Sequence, residues 1–326
     1  MILTCPESPT TTIRVLRRFS ATVAVWAPIS CVLLVNTRPK TRPDPRDIED
    51  LLATTPYRAV RLLGQGSAGD VHEVEHEFLG RRFVLKVLRH ATSPQDVDRM
   101  RVEAQTMARL RHPNVVDVVD FRFSKDGIPY LVMELLRGRT LDAELVARGR
   151  LPSTEALGFA CQALSALGAA HEVGVVHRDV TPSNLYLHEV PGSGRILKVL
   201  DFGLAGVRPE RSSRAPMPLV DPTRKGARLG SPRFMAPEAV RGERVDHRAD
   251  LFAIGLILYE MLVGHGPFDS GSSEPLSPSE LTPDVPAELD AIVLRGIRDV
   301  AGDRYQSAGD FATDLRPFIR PPGRER

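Results

Sequence analysis

From Tyr57 onward, short apolar runs alternate with polar residues, and the first of them have the two-residue period of strands. Tyr57-Arg58-Ala59-Val60-Arg61-Leu62-Leu63 leads into Gly64-Gln65-Gly66-Ser67-Ala68-Gly69, and Val71-His72-Glu73-Val74 then alternates again. This predicts a hairpin with a glycine-rich tip. A dinucleotide-binding turn would need a helix straight after the glycines, and a strand pattern stands there instead. Phe83 to Leu88 and Tyr130 to Met133 predict two more buried strands, and Glu134 to Gly138 a polar connector ending on glycine. Helical spacing appears between those strands, where Val97, Met100, Ala104 and Met107 follow a Ser93-Pro94 start. Beyond the connector it dominates. Leu151 to Glu172 predicts a long helix with Leu157, Cys161, Leu164 and Gly168 on one face. Leu185 to Leu187 and Ile196 to Leu200 flank the turn Pro191-Gly192-Ser193-Gly194. Asp250 to Val263 is nearly all apolar and too short to cross a bilayer, so it predicts a buried helix. Two amphipathic helices close the pattern, on Leu289, Ile292, Val293 and Ile297, then on Phe311, Leu315 and Phe318 behind a Ser307 cap. A β-rich part followed by a helical part is an α+β arrangement.

Composition narrows the function classes. The 326 residues are 42% apolar and 26% charged, enough to bury a full core in two lobes. A net charge of +2 is nearly balanced and gives no reason to expect a nucleic-acid partner or a membrane-surface binder. The cysteines Cys5, Cys31 and Cys161 form no C-x-x-C and suit a reducing compartment. Cys161 lies on an apolar helical stripe and reads as core rather than nucleophile.

Residues 1–52 read differently, as an N-terminal extension and linker. Phe19 to Thr37 is uncharged and mostly apolar, with basic residues on both sides, so a membrane anchor over 19–37 is one reading. Pro28 in mid-run, the interspersed Ser and Thr, and the balanced flanks favour a flexible extension or translated sequence upstream of the true start. Thr37 to Asp50, rich in Pro and charge, reads as a linker. The expected location is cytoplasmic, with tethering through 19–37 as the alternative.

The chemistry concentrates in two loops. Val176-His177-Arg178-Asp179-Val180-Thr181-Pro182-Ser183-Asn184 places an acid five residues before an amide, and Asp201-Phe202-Gly203 ends a strand-like run seventeen residues later. One acid that can take a hydroxyl proton, with an amide and an acid that can hold Mg²⁺, is what phosphoryl transfer from ATP requires. Lys86 lies within an apolar strand, where an isolated ammonium is costly, so it needs anionic partners.

In this order, H-R-D-x-x-x-x-N, D-F-G, the glycine loop and Gly230-Ser231-Pro232-Arg233-Phe234-Met235-Ala236-Pro237-Glu238 resemble the protein kinase family. The likeness is to the bacterial eukaryotic-like Ser/Thr branch. It covers about residues 57–318 and implies a two-lobed fold, with a small β-rich lobe (57–133), a hinge (134–138) and a larger helical lobe (139–318). The resemblance implies the following roles. Asp179 is the catalytic aspartate that orients the acceptor hydroxyl and takes its proton, Lys86 binds phosphates and pairs with Glu103, and Asn184 and Asp201 hold Mg²⁺. Leu63, Gly64, Gly66, Gly69, Val71, Val84, Met133, Glu134, Leu136 and Tyr186 surround ATP, Met133 as gatekeeper and Glu134 to Leu136 through their backbone. Arg178 receives a phosphate on the segment between Asp201 and Glu238, with Thr223 the first-choice acceptor, and Ser231 bonds Asp179. Asp250 holds the catalytic-loop backbone, and Glu238 pairs with Arg304.

The sequence departs from the family in four places. Val84 stands where an alanine is usual, Tyr186 where an aliphatic residue lies under adenine, and Thr181 where Ser/Thr kinases carry a lysine; the stretch from Phe268 to Pro286 is short. The implied function is transfer of the γ-phosphoryl group of Mg-ATP to Ser or Thr hydroxyls of protein substrates in bacterial signalling. The alternatives are a nucleotide-binding scaffold, motivated by Thr181, and a small-molecule kinase, disfavoured by the long segment before Ala236-Pro237-Glu238.

Overall fold

The structure is a computed structural model that describes residues 45–66, 69–88, 101, 105, 110–125, 127–202, 232–269 and 274–319. It opens on helix α1 (Pro45–Leu52), followed by strands β1 (Tyr57–Gly66), β2 (Gly69–His76), β3 (Arg82–Val87), β4 (Val118–Phe123) and β5 (Pro129–Glu134). These strands form one antiparallel sheet in the order β1-β2-β3-β5-β4. After them come β6 (Gly138–Thr140), α2 (Leu141–Arg148), α3 (Ser153–Glu172), β7 (Leu185–Val190), β8 (Gly194–Val199), α4 (Arg248–Val263), α5 (Glu288–Gly296) and α6 (Ala308–Leu315).

The two-residue period of β3 and β5 gives the small sheet two apolar faces. Phe83, Leu85 and Val87 join Tyr130 and Val132 in one buried cluster, while Val84, Leu131 and Met133 belong to a second. The first cluster is covered by α1, whose Leu51 and Leu52 are buried and whose Ile48 packs alongside. The last residues of the expected linker are therefore helical. Ile48, Leu51 and Leu52 recur at i, i+3 and i+4, and that one apolar side meets the sheet. Residues 19–37 lie outside the described residues, and among those described no helix is long and apolar enough to cross a membrane.

The helical lobe is built around α4. Thirteen of its sixteen residues are buried, so it is a central pillar and any polar residue on it must have partners. It ends at Gly264, whose φ of 94° allows its N–H to close on the Glu260 carbonyl. Residues of α3, α5 and α6 share its core, and Ser307 Oγ caps α6 by accepting from the Asp310 N–H at 3.0 Å. Cys161 packs at the edge of this core, and burial pushes its thiol up to about 11, which suits the core reading. Arg304, with a fully buried side chain, makes a two-pronged bond to Glu238 at 2.9 and 2.7 Å and also donates to the carbonyls of Arg298, Asp299 and Arg248. The pair expected from sequence forms, with the guanidinium's remaining N–H groups satisfied. In the short stretch after Phe268, a single helical turn, Pro278–Leu281, is held by a Ser277–Glu280 capping box.

Candidate active site

The two lobes meet along a ladder in which the Val116 N–H reaches the Val199 carbonyl at 3.0 Å and the Val199 N–H reaches that of Asn114 at 2.8 Å. Above this seam lies the β1–β2 hairpin. Gly64 faces Val71, Gly66 faces Gly69, and Val71 in turn faces Lys86 across β2 and β3. A strand, not a helix, follows the glycines. Leu63 sits at a register shift in β1. Gly69 has φ 130°, and a Cβ there would lie 1.8 Å from the Val87 carbonyl oxygen, so only glycine lets β2 approach β3 this closely. Val84, Met133 and Leu136 come together in one apolar cluster with Val116, Leu131 and Leu200. Sequence reasoning missed Leu200. Its signal was its place directly before Asp201 at the end of an alternating strand.

The Glu134 side chain turns to the Asp117 N–H at 2.9 Å and to Lys198 Nζ at 2.6 Å. Lys86 is buried, 5% exposed, and its Nζ lies 2.7 Å from Asp201 Oδ1. Among the described residues, the anionic partner that burial demands is thus an acid of the second loop. Glu103, the partner expected from sequence, lies outside the described residues, as do Thr223 and Ser231.

The loop carrying Asp179 is fixed from below by one carboxylate. Asp250, 1% exposed on the first turn of α4, accepts the His177 N–H at 2.9 Å and the Arg178 N–H at 2.8 Å, while His171 Nε2 donates to it at 2.8 Å. Arg178 adopts φ 65° and Asp201 φ 52°, left-handed conformations that cost non-glycine residues about 1–3 kcal/mol each. Asp250 holds the first of these in place. His177 Nε2 donates to the Leu200 carbonyl at 2.8 Å and its Nδ1 accepts the Asp179 N–H at 3.3 Å, which fixes the tautomer. Its ring packs on Phe202 at 4.8 Å, so the loop carrying Asp179 and the loop carrying Asp201 are joined. Asn184 donates its amide to Asp179, at 2.8 Å to the carbonyl and 3.2 Å to Oδ2.

We expect Asp250→Asn to disturb both loops, because an amide cannot accept both backbone N–H groups and would set a donor against one of them. The expected loss is about 1–3 kcal/mol of stability together with a fall in turnover, read from a denaturant midpoint and steady-state kinetics. Unchanged values for both would show that the loop is held by other groups.

Burial raises the Asp179 carboxyl above the usual carboxylate range; His177 and Asn184 pull it down, neighbouring Asp201 pushes it up, and the net direction is up. A partly shielded acid of this kind is suited to accepting a proton at neutral pH. Asp201 and Asn184 offer hard oxygen donors of the type that suit Mg²⁺, and the Asn184 amide nitrogen is already engaged with Asp179.

Residues 57–286 match the protein kinase domain family. This chain belongs to that family. Among relatives of this chain is serine/threonine-protein kinase pkn3 of Myxococcus xanthus, 34% identical over 274 residues, which are 80% of this chain and 49% of that protein. Serine/threonine-protein kinase Pkn1 of the same organism is 38% identical over 275 residues, 80% of this chain and 38% of that one. The chain thus spans half or less of the length of these curated relatives. The solved PknI kinase domain of Mycobacterium tuberculosis is 28% identical with a TM-score of 0.62, covering 81% of this chain and 96% of that domain. The two-lobed kinase fold expected from the motifs is the fold of the molecule, and its kin are bacterial Ser/Thr kinases.

Proposed function

We propose that this chain transfers the γ-phosphoryl group of Mg-ATP to Ser or Thr hydroxyls of protein substrates in bacterial signalling. The observation that carries the reading is that two contacting pairs, Lys86 with Asp201 and Asn184 with Asp179, are joined through His177 and through the Leu200 N–H bond to the Asn184 carbonyl. Asp179 orients the acceptor hydroxyl and takes its proton, Lys86 holds phosphate oxygens, and the cluster of Val84, Met133, Leu136 and Leu200 receives the adenine beside the backbone of Glu134 to Leu136. Asn184 and Asp201 would hold Mg²⁺, which supplies charge neutralisation on the phosphates when bound. Arg178 is exposed, in keeping with a phosphate-binding role toward Thr223. The test is incubation of the purified chain with labelled ATP and Mg²⁺, with incorporated phosphate mapped by mass spectrometry beside Asp179→Asn. Incorporation by wild type on Ser or Thr and its loss in the variant are expected; equal incorporation would sink the assignment.

The scaffold alternative is not favoured, since Lys86 pairs with Asp201 and the relatives are named as kinases. Thr181 still marks a difference. Its hydroxyl, on a buried side chain, lies 2.9 Å from that of the half-buried Ser183, so a neutral pair stands where a cation is usual. Thr181→Lys should raise kcat, by up to about 10²-fold, with little change in the KM for ATP, because the new charge acts mainly on the transferring group. An unchanged or lower kcat would mean that the hydroxyl pair already serves the purpose.

A further inference from the structure

We propose that the hinge-facing side of the β7–β8 hairpin is a clamp on the nucleotide-reading backbone, with the Tyr186 hydroxyl as its positioning group. The proposal rests on the kinase reading of the cleft and adds to it a role that stacking under adenine does not require.

The alternation of the hairpin separates two jobs. Leu185, Leu187, Leu197 and Val199 are at most 1% exposed and belong to the large-lobe core. Residues of opposite parity, Tyr186 and His188 on β7 and Lys198 on β8, face the other way, and Tyr186 and Lys198 are direct cross-strand partners. All three touch the hinge. Lys198 Nζ lies 2.6 Å from Glu134 Oε1 and 3.3 Å from the Val115 carbonyl, so it holds the first hinge residue. His188 Nδ1 lies 3.0 Å from both the N–H and the carbonyl of Arg137. The Tyr186 hydroxyl donates to the Gly138 carbonyl at 2.8 Å and holds the last.

The backbone is shaped to allow the final contact. Gly138 has φ 127°, and a Cβ there would stand 2.1 Å from the Leu187 carbonyl oxygen, so β6 presses directly on β7. The Glu189 N–H adds a 2.7 Å bond to the Arg137 carbonyl beside it. The segment between these anchors, Leu135 and Leu136, is therefore suspended from two ends fixed on one rigid hairpin. Backbone groups that read adenine need their geometry held within a few tenths of an ångström, and anchoring both ends supplies that restraint before nucleotide arrives. An aliphatic residue at 186 could form a floor but could not bond Gly138.

Gly138 is exposed, so its carbonyl is solvated when the tyrosine hydroxyl is removed. The loss should appear in nucleotide affinity more than in stability. The experiment uses the full chain, with KM for ATP, kcat, the Kd of a non-hydrolysable ATP analogue with Mg²⁺, and the melting temperature measured for wild type, Tyr186→Phe, Tyr186→Leu and Lys198→Met. Removing a single neutral hydrogen bond should raise KM and Kd about 2- to 10-fold in Tyr186→Phe, more than it lowers kcat, with the melting temperature nearly unchanged. Tyr186→Leu should match or exceed that loss. Lys198→Met should act in the same direction, and combining it with Tyr186→Phe should give less than the product of the two, since either loss already frees the segment. Unchanged KM and Kd in Tyr186→Phe, whether or not the melting temperature falls, would overturn the clamp while leaving the kinase reading intact. Failure of wild type to bind the analogue would overturn the kinase reading, and the clamp with it.

Discussion

Asp179→Asn is expected to abolish most phosphoryl transfer and at the same time make the protein more stable at neutral pH. Both effects follow from one environment. The carboxyl is partly buried beside Asp201, and burial lifts it above the usual carboxylate range despite the Asn184 bond. As the base for the acceptor hydroxyl, its loss should lower kcat by about 10²–10⁴-fold, the range of a positioned general acid–base group. The acid limb of kcat against pH should lie above the ordinary Asp range, since the unprotonated carboxylate is the active form. The linkage has a definite sign. Between the unfolded pKa of about 3.9 and the raised folded value, the folded chain retains a proton that the unfolded chain has released. Stability therefore falls as pH rises through that window and stays lower above it. Asparagine carries no such penalty and is close to isosteric, so the variant should unfold at a higher denaturant concentration than wild type at pH 7.5. The gap should close below about pH 3.9, where both side chains are neutral. A variant with wild-type turnover would remove Asp179 from the chemistry, and one less stable at pH 7.5 would mean that its carboxylate is stabilised by its neighbours.

The parts of the site that repeat a local pattern were legible in the sequence. The acid and amide at five-residue spacing converge because Asn184 folds back onto Asp179, and the two bonds between them lie within one short loop. Asp250 and Glu238 were legible for another reason: the resemblance to the kinase family implied their partners, and each carboxylate, buried as it is, finds its donors. What escaped were contacts decided by the packing of distant elements. Pro45–Leu52 carries only Ile48, Leu51 and Leu52 as large apolar residues, so its proline and charge outweighed a helical spacing whose value depends on the sheet it covers. The contact of Lys86 with Asp201 was not foreseen: the resemblance named Glu103 as the partner, and the need for an anion does not say which acid answers. The hydroxyl of Tyr186 was read as part of a flat floor. Its bond to Gly138 depends on the pairing of β6 with β7, a three-residue strand with little pattern of its own.

Lys86→Met should lower kcat/KM for ATP by about 10²–10³-fold while leaving the fold in place. Lys86 is 5% exposed and anchored in β3, where Val71 and Leu131 are its cross-strand neighbours. Methionine is unbranched and apolar and can fill most of the same channel, so the substitution exchanges a buried ammonium for a group that carries no desolvation cost. The partner left behind is Asp201, whose side chain is 34% exposed and can be hydrated once the 2.7 Å ion pair is gone. The penalty of a stranded buried charge is therefore small, and the denaturant midpoint should hardly move. Activity should not be spared in the same way. The ammonium is the one cation that the described contacts place against the Asp201 carboxylate, and phosphate oxygens held by Lys86 would lose their charge partner in both ground and transition states. Lys86→Arg should also be slow, because a planar fork cannot reproduce a compact ammonium in this buried position. Steady-state kinetics on a protein substrate, with circular dichroism and a denaturation curve on the same preparations, give the test. Wild-type kcat/KM in Lys86→Met would remove this lysine from phosphate binding, and an unfolded variant would show that its pairing with Asp201 is needed to join the lobes.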